Sequence, residues 1–303
     1  MTDQAGPVLV IGATGQQGSA AARALLGRGR VVRAFVRDKN TAAARLLREG
    51  GASLVTGDLD DPGSVRAAMD SVSGVFLALN MMTGPRVTPE GVAAEERRGK
   101  AVASLAAEAG IGHLVYSSIV GAGQHTGISY VESKTRIEEH ILALGLPATV
   151  LRPVSFMDNF GSLTRPALDG GELVIRLALR PQTPLPLVAT RDIGVFAALA
   201  FEHPHRYAGR HVHLAGDCLT GPQIAGAFAT ACGLPSRFAQ LPIEQLRAFD
   251  PEVARMFEWI DARQADEPDL AALRAEHPGV LTLPEWLRTT SWKPQPASAP
   301  PED

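Results

Sequence analysis

Apolar residues in the first half of the chain gather in short runs, with amphipathic stretches between them. The runs Val8–Ile11, Val31–Val36, Ser53–Thr56, Gly74–Leu79, His113–Ser117 and Ala148–Leu151 predict strands, some apolar at every position, as in strands buried on both faces. Helical spacing fills the gaps at Gln17–Leu26, Ala42–Glu49, Val65–Met69, Pro89–Ala109 and Tyr130–Leu144. Thr88-Pro89 offers an N-cap with proline at the first helical position, and Gly110 follows the helix it opens. Strand–helix alternation of this kind predicts an α/β fold: a doubly wound parallel sheet with helices on both faces and right-handed crossovers.

After Pro153 the alternation loosens. Residues 154–186 mix apolar positions with Pro181, Pro184 and Pro186. A strand–helix unit is expected at Leu187–Phe201, a strand at His211–Leu214, helices over 222–232 and 243–263, and a last short helix from Pro284 to Leu287. Residues 1–153, with the unit near 187–215, read as one domain. Residues 154–293 read mainly as a smaller, mixed α/β C-terminal lobe closing over a crevice. The Pro-rich polar tail, 294–303, is expected to be disordered.

The first strand carries the most informative chemistry. Val8–Ile11 stops at Gly12, Gly15 and Gly18 follow at three-residue steps, and an Ala-rich helix begins. Such a turn puts free backbone N–H groups of a helix N-terminus against an anion, with glycines permitting the tight bend and the close helix–strand approach. This is a Rossmann nucleotide-binding opening, and Gly12, Thr14, Gly15, Gln16, Gln17 and Gly18 are its expected phosphate contacts. The second strand ends in Arg37, with Lys39 nearby. A guanidinium there suits a 2′-phosphate and favours NADP(H) over NAD(H), although Asp38 complicates the reading. Asp58, after the third strand, is expected at the adenine amino group or as a turn former, with Leu59 over the base. Asn80 ends the fourth strand, near the nicotinamide ribose.

Tyr130 and Lys134 lie four apart, and Ile137, Ile141 and Leu144 continue the same helical stripe. A lysine on an inward face needs a partner, and cofactor ribose hydroxyls are the expected one. Lys134 would then ease proton donation by the Tyr130 phenol, and Ser118 would add a hydrogen bond to the substrate oxygen. Met81, Met82, Phe156, Met157, Phe160 and Trp259 are candidates for an apolar substrate pocket or for plain core. Glu95-Glu96-Arg97-Arg98 reads as a solvated helix face, and Arg23, Arg28, Arg30 and Arg33 as a basic group near the cofactor end.

Composition narrows the classes. The chain has 303 residues, 45% of them apolar, and a net charge of −3. That is enough for a large core and gives no general attraction to nucleic acid or acidic membranes. No apolar stretch is long enough to span a bilayer, and no secretory leader pattern opens the chain. Cys218 and Cys232 form no metal or redox motif, and a reducing, cytoplasmic setting is expected. His203-x-His205 and His211-x-His213 lack companion ligands, so no metal is expected.

The motifs Gly12-Ala-Thr-Gly-Gln-Gln-Gly18, Val36-Arg37-Asp38, Gly57-Asp58-Leu59-Asp60-Asp61, Val75-Phe76-Leu77, Ser133-Lys134-x-x-Ile137-Glu138-Glu139, Leu151-Arg152-Pro153 to Phe160 and Asp192-Ile193-Gly194 together resemble the NmrA-like branch of the atypical short-chain dehydrogenases. The resemblance implies NADP(H) binding by Gly12 to Gly18, Arg37, Asp58, Leu59 and Lys134, with Val154–Phe160, including Phe156, along the nicotinamide side. Many members lack the catalytic tyrosine. Tyr130 restores it here, which favours an NADPH-dependent reductase of a small apolar carbonyl, quinone, imine or enone. The other class within the family is a non-catalytic NADP(H) sensor. A small-molecule substrate is the expected partner, with a homodimer or a regulatory protein partner left open.

Overall fold

The computed structural model describes residues 6–262 and 268–294. In chain order the elements begin β1 (Val8–Ile11), α1 (Gln16–Gly27), β2 (Val32–Val36), α2 (Ala42–Glu49), β3 (Ser53–Thr56), α3 (Pro62–Ala68), β4 (Gly74–Ala78), β5 (Met82–Thr83), β6 (Arg86–Val87), α4 (Pro89–Glu108), β7 (His113–Ser117), α5 (Ser129–Ala143) and β8 (Ala148–Pro153). There follow β9 (Ser155–Phe156), a 3₁₀ turn (Met157–Gly161), β10 (Ala167–Asp169), β11 (Glu172–Leu177), β12 (Pro184–Val188), α6 (Thr190–Glu202), α7 (Pro204–Tyr207), β13 (His211–Leu214) and β14 (Asp217–Thr220). The chain continues with α8 (Gly221–Cys232), β15 (Ser236–Gln240), α9 (Ile243–Phe249), α10 (Pro251–Asp261), α11 (Leu270–Glu276) and α12 (Leu283–Thr290). The chain divides into two compact units, Met1–Pro153 with Thr190–His213, and Val154–Ala189 with Leu214–Asp303.

The first unit is built on a seven-stranded sheet of order β13-β8-β7-β4-β1-β2-β3, parallel along its paired strands. Val8, Leu9, Val10 and Ile11 are all fully buried, which accounts for their unbroken apolar run. Strand order reverses between β1 and β4, and the carboxyl ends of strands at such a switch point form the customary ligand crevice of this architecture. On one face α4 and α5 cover Leu9, Leu77, Leu114 and Tyr116 with Val102, Ala106, Ile137 and Ile141. On the other face α1 and α6 approach so closely that a Cβ on Gly194 would stand 2.4 Å from the Ala20 carbonyl oxygen, which explains the small residues there.

In the second unit, β10, β11 and β15 form one small sheet and β14, β12 and β9 another. The strand expected at Leu187 begins earlier, at Pro184, and pairs with β14 and β9 rather than joining the seven-stranded sheet, while α6 belongs to the first unit. The helix expected over 243–263 is interrupted at Asp250, which has extended backbone. The Asp250 carboxylate caps α10 through the N–H groups of Glu252 (3.0 Å) and Val253 (3.1 Å), and Pro251 occupies the first helical position. The expectation for the tail concerns residues 295–303, apart from Pro294, and lies outside the described residues. Among the described residues no helix is long and apolar enough to cross a membrane.

Candidate functional site

Gly12 has a positive φ of 78°, and a Cβ there would fall 2.3 Å from the Ala78 carbonyl oxygen on β4. Only glycine fits both conditions. Gly15 N–H closes the turn onto the Gly12 carbonyl (2.9 Å), and a Cβ on Gly18 would stand 2.1 Å from that same oxygen. The helix therefore starts tight against β1. Its N-cap is Gly15, with no side-chain hydrogen bond capping it, so the first amides of α1 carry no side-chain acceptor. Thr14, Gly15 and Gln16 are exposed and Gln17 is half-buried. This arrangement can hold a phosphate group.

At the end of β2, Arg37 and Lys39 are exposed, and among the described residues neither forms an ion pair. The Asp38 carboxylate accepts from Asn40 N–H (2.8 Å) and shapes the turn before α2. Asp58 takes part in the turn after β3. It is exposed, and its carboxylate accepts from Asp60 N–H at 2.9 Å, while Leu59 rests on the core. Asp60 is clamped by Arg97 (2.9 Å) and Arg98 of α4, and their hydrogen bonds hold its carboxyl well below the usual carboxylate range. Asn80 is exposed and uses its side-chain oxygen on Met82 N–H (3.0 Å), which leaves its amide N–H groups as donors. Met81 is half-buried.

Tyr130, Lys134, Ile137 and Ile141 are all buried, as their shared stripe requires. The partner of Lys134 is Glu95 of α4: Nζ lies 2.8 Å from Oε1, with side-chain exposures of 6% and 0%. The reading of Glu95 as part of a solvated face is therefore corrected. Glu96 pairs with Lys100 (2.6 Å) and Arg136 (2.7 Å), while Arg97 and Arg98 reach Asp60. The signal was present in the sequence, since Val92, Glu95, Gly99, Val102 and Ala106 follow steps of three and four and form the buried stripe of α4.

Ser118 is buried, and its hydroxyl donates to Glu138. Glu138 also accepts from Arg152 Nε (3.2 Å) and Nη2, and His211 stands 3.5 Å away. The Ser118 hydroxyl, expected to bond a substrate oxygen, is here hydrogen-bonded into a buried ion pair. Glu138 and Arg152 were recognised only as parts of motifs. Beside them the Tyr116 phenol is fully enclosed, with no hydrogen-bond partner among the described residues. Burial, and then the negative charges of Glu95 and Glu138, push its pKa well above the ordinary tyrosine value.

Two further expectations change. Phe160 is 1% exposed and packs edge-on against Phe228 (5.3 Å) inside the second unit, which leaves it no surface for a substrate, whereas Phe156 is half-buried on β9. Arg28, Arg30 and Arg33 are not at the cofactor end. They follow α1 or open β2, at the strand ends opposite Gly12, where Arg28 pairs with Glu202 (3.2 Å) and Arg33 donates to the Ala68 (2.9 Å) and Asp70 (2.7 Å) carbonyls that close α3.

The sequence is 27% identical over 240 residues to the NAD(P)H azoreductase of Xenophilus azovorans, covering 79% of each chain. In structure it is similar to NmrA, a negative transcriptional regulator crystallised with NADP, at a TM-score of 0.79 and 21% identity, over 94% of this chain and 95% of that one. It is also similar to the NADPH-dependent quinone oxidoreductase QOR2 of Escherichia coli, crystallised with NADPH, at a TM-score of 0.74 and 20% identity, over 94% and 99%. The model of the NmrA-like family matches residues 4–287. On that match, together with the glycine turn and the seven-stranded sheet, this chain belongs to the NmrA-like family.

Proposed function

We propose that the protein is an NADPH-dependent reductase of a small apolar carbonyl, quinone, imine or enone. The observation that carries the reading is the burial of Tyr130 and Lys134 on one face of α5, with the lysine already paired to a carboxylate. The residues suit a dinucleotide phosphate: the first amides of α1 lack a side-chain cap, and Arg37 and Lys39 are cations without counter-charges among the described residues. Gly12 to Gly18 would hold the pyrophosphate, Arg37 the 2′-phosphate, Asp58 and Leu59 the adenine, and Asn80 and Lys134 the ribose nearer the ring. A bound reduced nicotinamide supplies hydride to the electrophilic atom of the substrate.

The protein contributes position and a proton. The Tyr130 phenol gives its proton to the substrate oxygen, nitrogen or carbon that becomes negative, and the Lys134 ammonium stabilises the phenolate left behind. A positioned acid of this kind supplies about 10²–10⁴-fold in rate. Met81, half-buried, would meet the substrate from this unit. The azoreductase similarity adds an N=N acceptor to the compounds worth testing. The test mixes protein and NADPH with quinones, aldehydes, enones, imines and azo dyes and follows the loss of reduced-nicotinamide absorbance. Oxidation with any one compound above the protein-free rate is the expected result. Tight NADPH binding without oxidation across the panel overturns the reductase reading in favour of a sensor.

A further inference from the structure

Helices α4 and α5 approach closely because position 99 is glycine; a Cβ there would lie 2.6 Å from Ile137 Cδ1. That approach brings Glu95 to the middle of the Tyr130–Lys134 turn. One carboxylate oxygen takes the Lys134 ammonium at 2.8 Å, and the other lies 3.2 Å from Ser133 Oγ, which is also 3.1 Å from the Tyr130 carbonyl. Glu95 therefore contacts two successive residues of the turn and is tied through Ser133 to a third. On another side stands the Tyr116 ring, its centroid 6.0 Å from Nζ. Glu95 from α4 is bonded to the ammonium, Tyr116 from β7 stands beside it, and Tyr130 and Glu138 lie one turn to either side of Lys134 along α5. Arg152 of β8 counters Glu138. Tyr116 remains a neutral phenol through the physiological range. Glu95 is thus the one carboxylate bonded directly to Lys134 among the described residues. An ammonium has three donors, and Glu95 uses one, so two remain for ribose hydroxyls without breaking the pair.

We propose that Glu95 is a positioning residue for the nucleotide, holding Lys134 as a fixed, charged donor to which the ribose hydroxyls bind. This rests on the nucleotide reading of Lys134 above. A buried ammonium deprived of its counter-charge surrenders its proton at lower pH and loses the bond that orients it. Glu95→Gln keeps the size of the side chain and removes the charge. Glu95→Asp keeps the charge and withdraws it by one methylene.

The experiment measures the Kd for NADPH by fluorescence or calorimetric titration at about pH 6 and about pH 8.5, on the parent and both variants, with thermal unfolding alongside. The ratio of variant to parent cancels the titration of the ligand's own phosphate. For Glu95→Gln the expected ratio grows by about tenfold from the lower to the higher pH. For Glu95→Asp the ratio is about threefold at both. Ratios near one in whichever variant folds, or an equal loss at both pH values in Glu95→Gln, overturn the proposal; lowered thermal stability with unchanged ratios reduces Glu95 to a structural ion pair. A parent that binds no NADPH refutes the nucleotide reading and this inference with it. A parent that binds NADPH but reduces nothing refutes only the reductase reading.

Discussion

Replacing Gly18 with alanine adds one methyl group at the tightest point of the glycine turn. The new Cβ would stand 2.1 Å from the Gly12 oxygen, 2.5 Å from its carbonyl carbon and 2.9 Å from Ala13 Cα. An ordinary C···O contact is about 3.3 Å, so the start of α1 must retreat by roughly 1 Å. It has nowhere to go, because α6 backs it, with Gly194 already at the limit against Ala20. Overpacking of this kind costs about 1–3 kcal/mol, and a rigid backbone contact argues for the upper end, a fall in Tm of roughly 6–12 °C. The amides that would face phosphate move with the helix. The loss of one or two charge-assisted bonds predicts a Kd for NADPH raised by about 100-fold. Gly226→Ala is the matched control: its Cβ meets nothing within 4 Å inside α8, so it stabilises by about 0.5–1 kcal/mol and leaves the Kd unchanged. Thermal unfolding and NADPH titration on both variants decide the matter. A Gly18→Ala protein with the parent's Tm and Kd refutes the steric account and the phosphate site together.

Three other outcomes are expected. Tyr130→Phe lowers kcat by about 100-fold in steady-state assays while the Kd for NADPH stays within about twofold, and undiminished turnover removes its role as proton donor. Arg37→Ala weakens NADPH by about 10–100-fold and NADH hardly at all; equal loss for both nucleotides shows that the guanidinium does not meet a 2′-phosphate. His113 is buried, bonded to Thr149 (2.9 Å), and burial lowers its pKa to about 4. The unfolded chain therefore takes up a proton that the fold refuses. Stability should fall as pH drops from about 6.5 towards 4 and gain no further slope from this group below that. Urea titrations of His113→Asn should show a flatter dependence in that window, and an identical slope would exclude the histidine as its source.

Much of the first unit was legible in the chain because its determinants are local. The strand, glycine turn and helix at Val8–Gly27 are contiguous, and apolar periodicity alone identifies the strands on which α4 and α5 pack. Tyr130 and Lys134 were found by the same rule, since helical spacing puts them on a buried stripe. Applied to α4, that rule would also have exposed Glu95, whose neighbouring charges Glu96, Arg97 and Arg98 masked it as surface. The second unit resisted because β9, β10, β14 and their partners are only two to six residues long and carry prolines or broken alternation. Such segments become strands only when a distant partner supplies the ladder.

The sequence by itself determined the turn, the helix faces and the identity of the residues on them. Tertiary structure decided the pairings: Lys134 with Glu95, Ser118 with Glu138 and Arg152, and Phe160 with Phe228. Periodicity tells which side chain turns inward. Which group it meets there depends on how closely two helices cross, and Gly99 against Ile137 sets that distance. A buried charge then takes whichever opposite charge the crossing delivers, because leaving it alone in a medium of low polarity costs more than any local preference can offset.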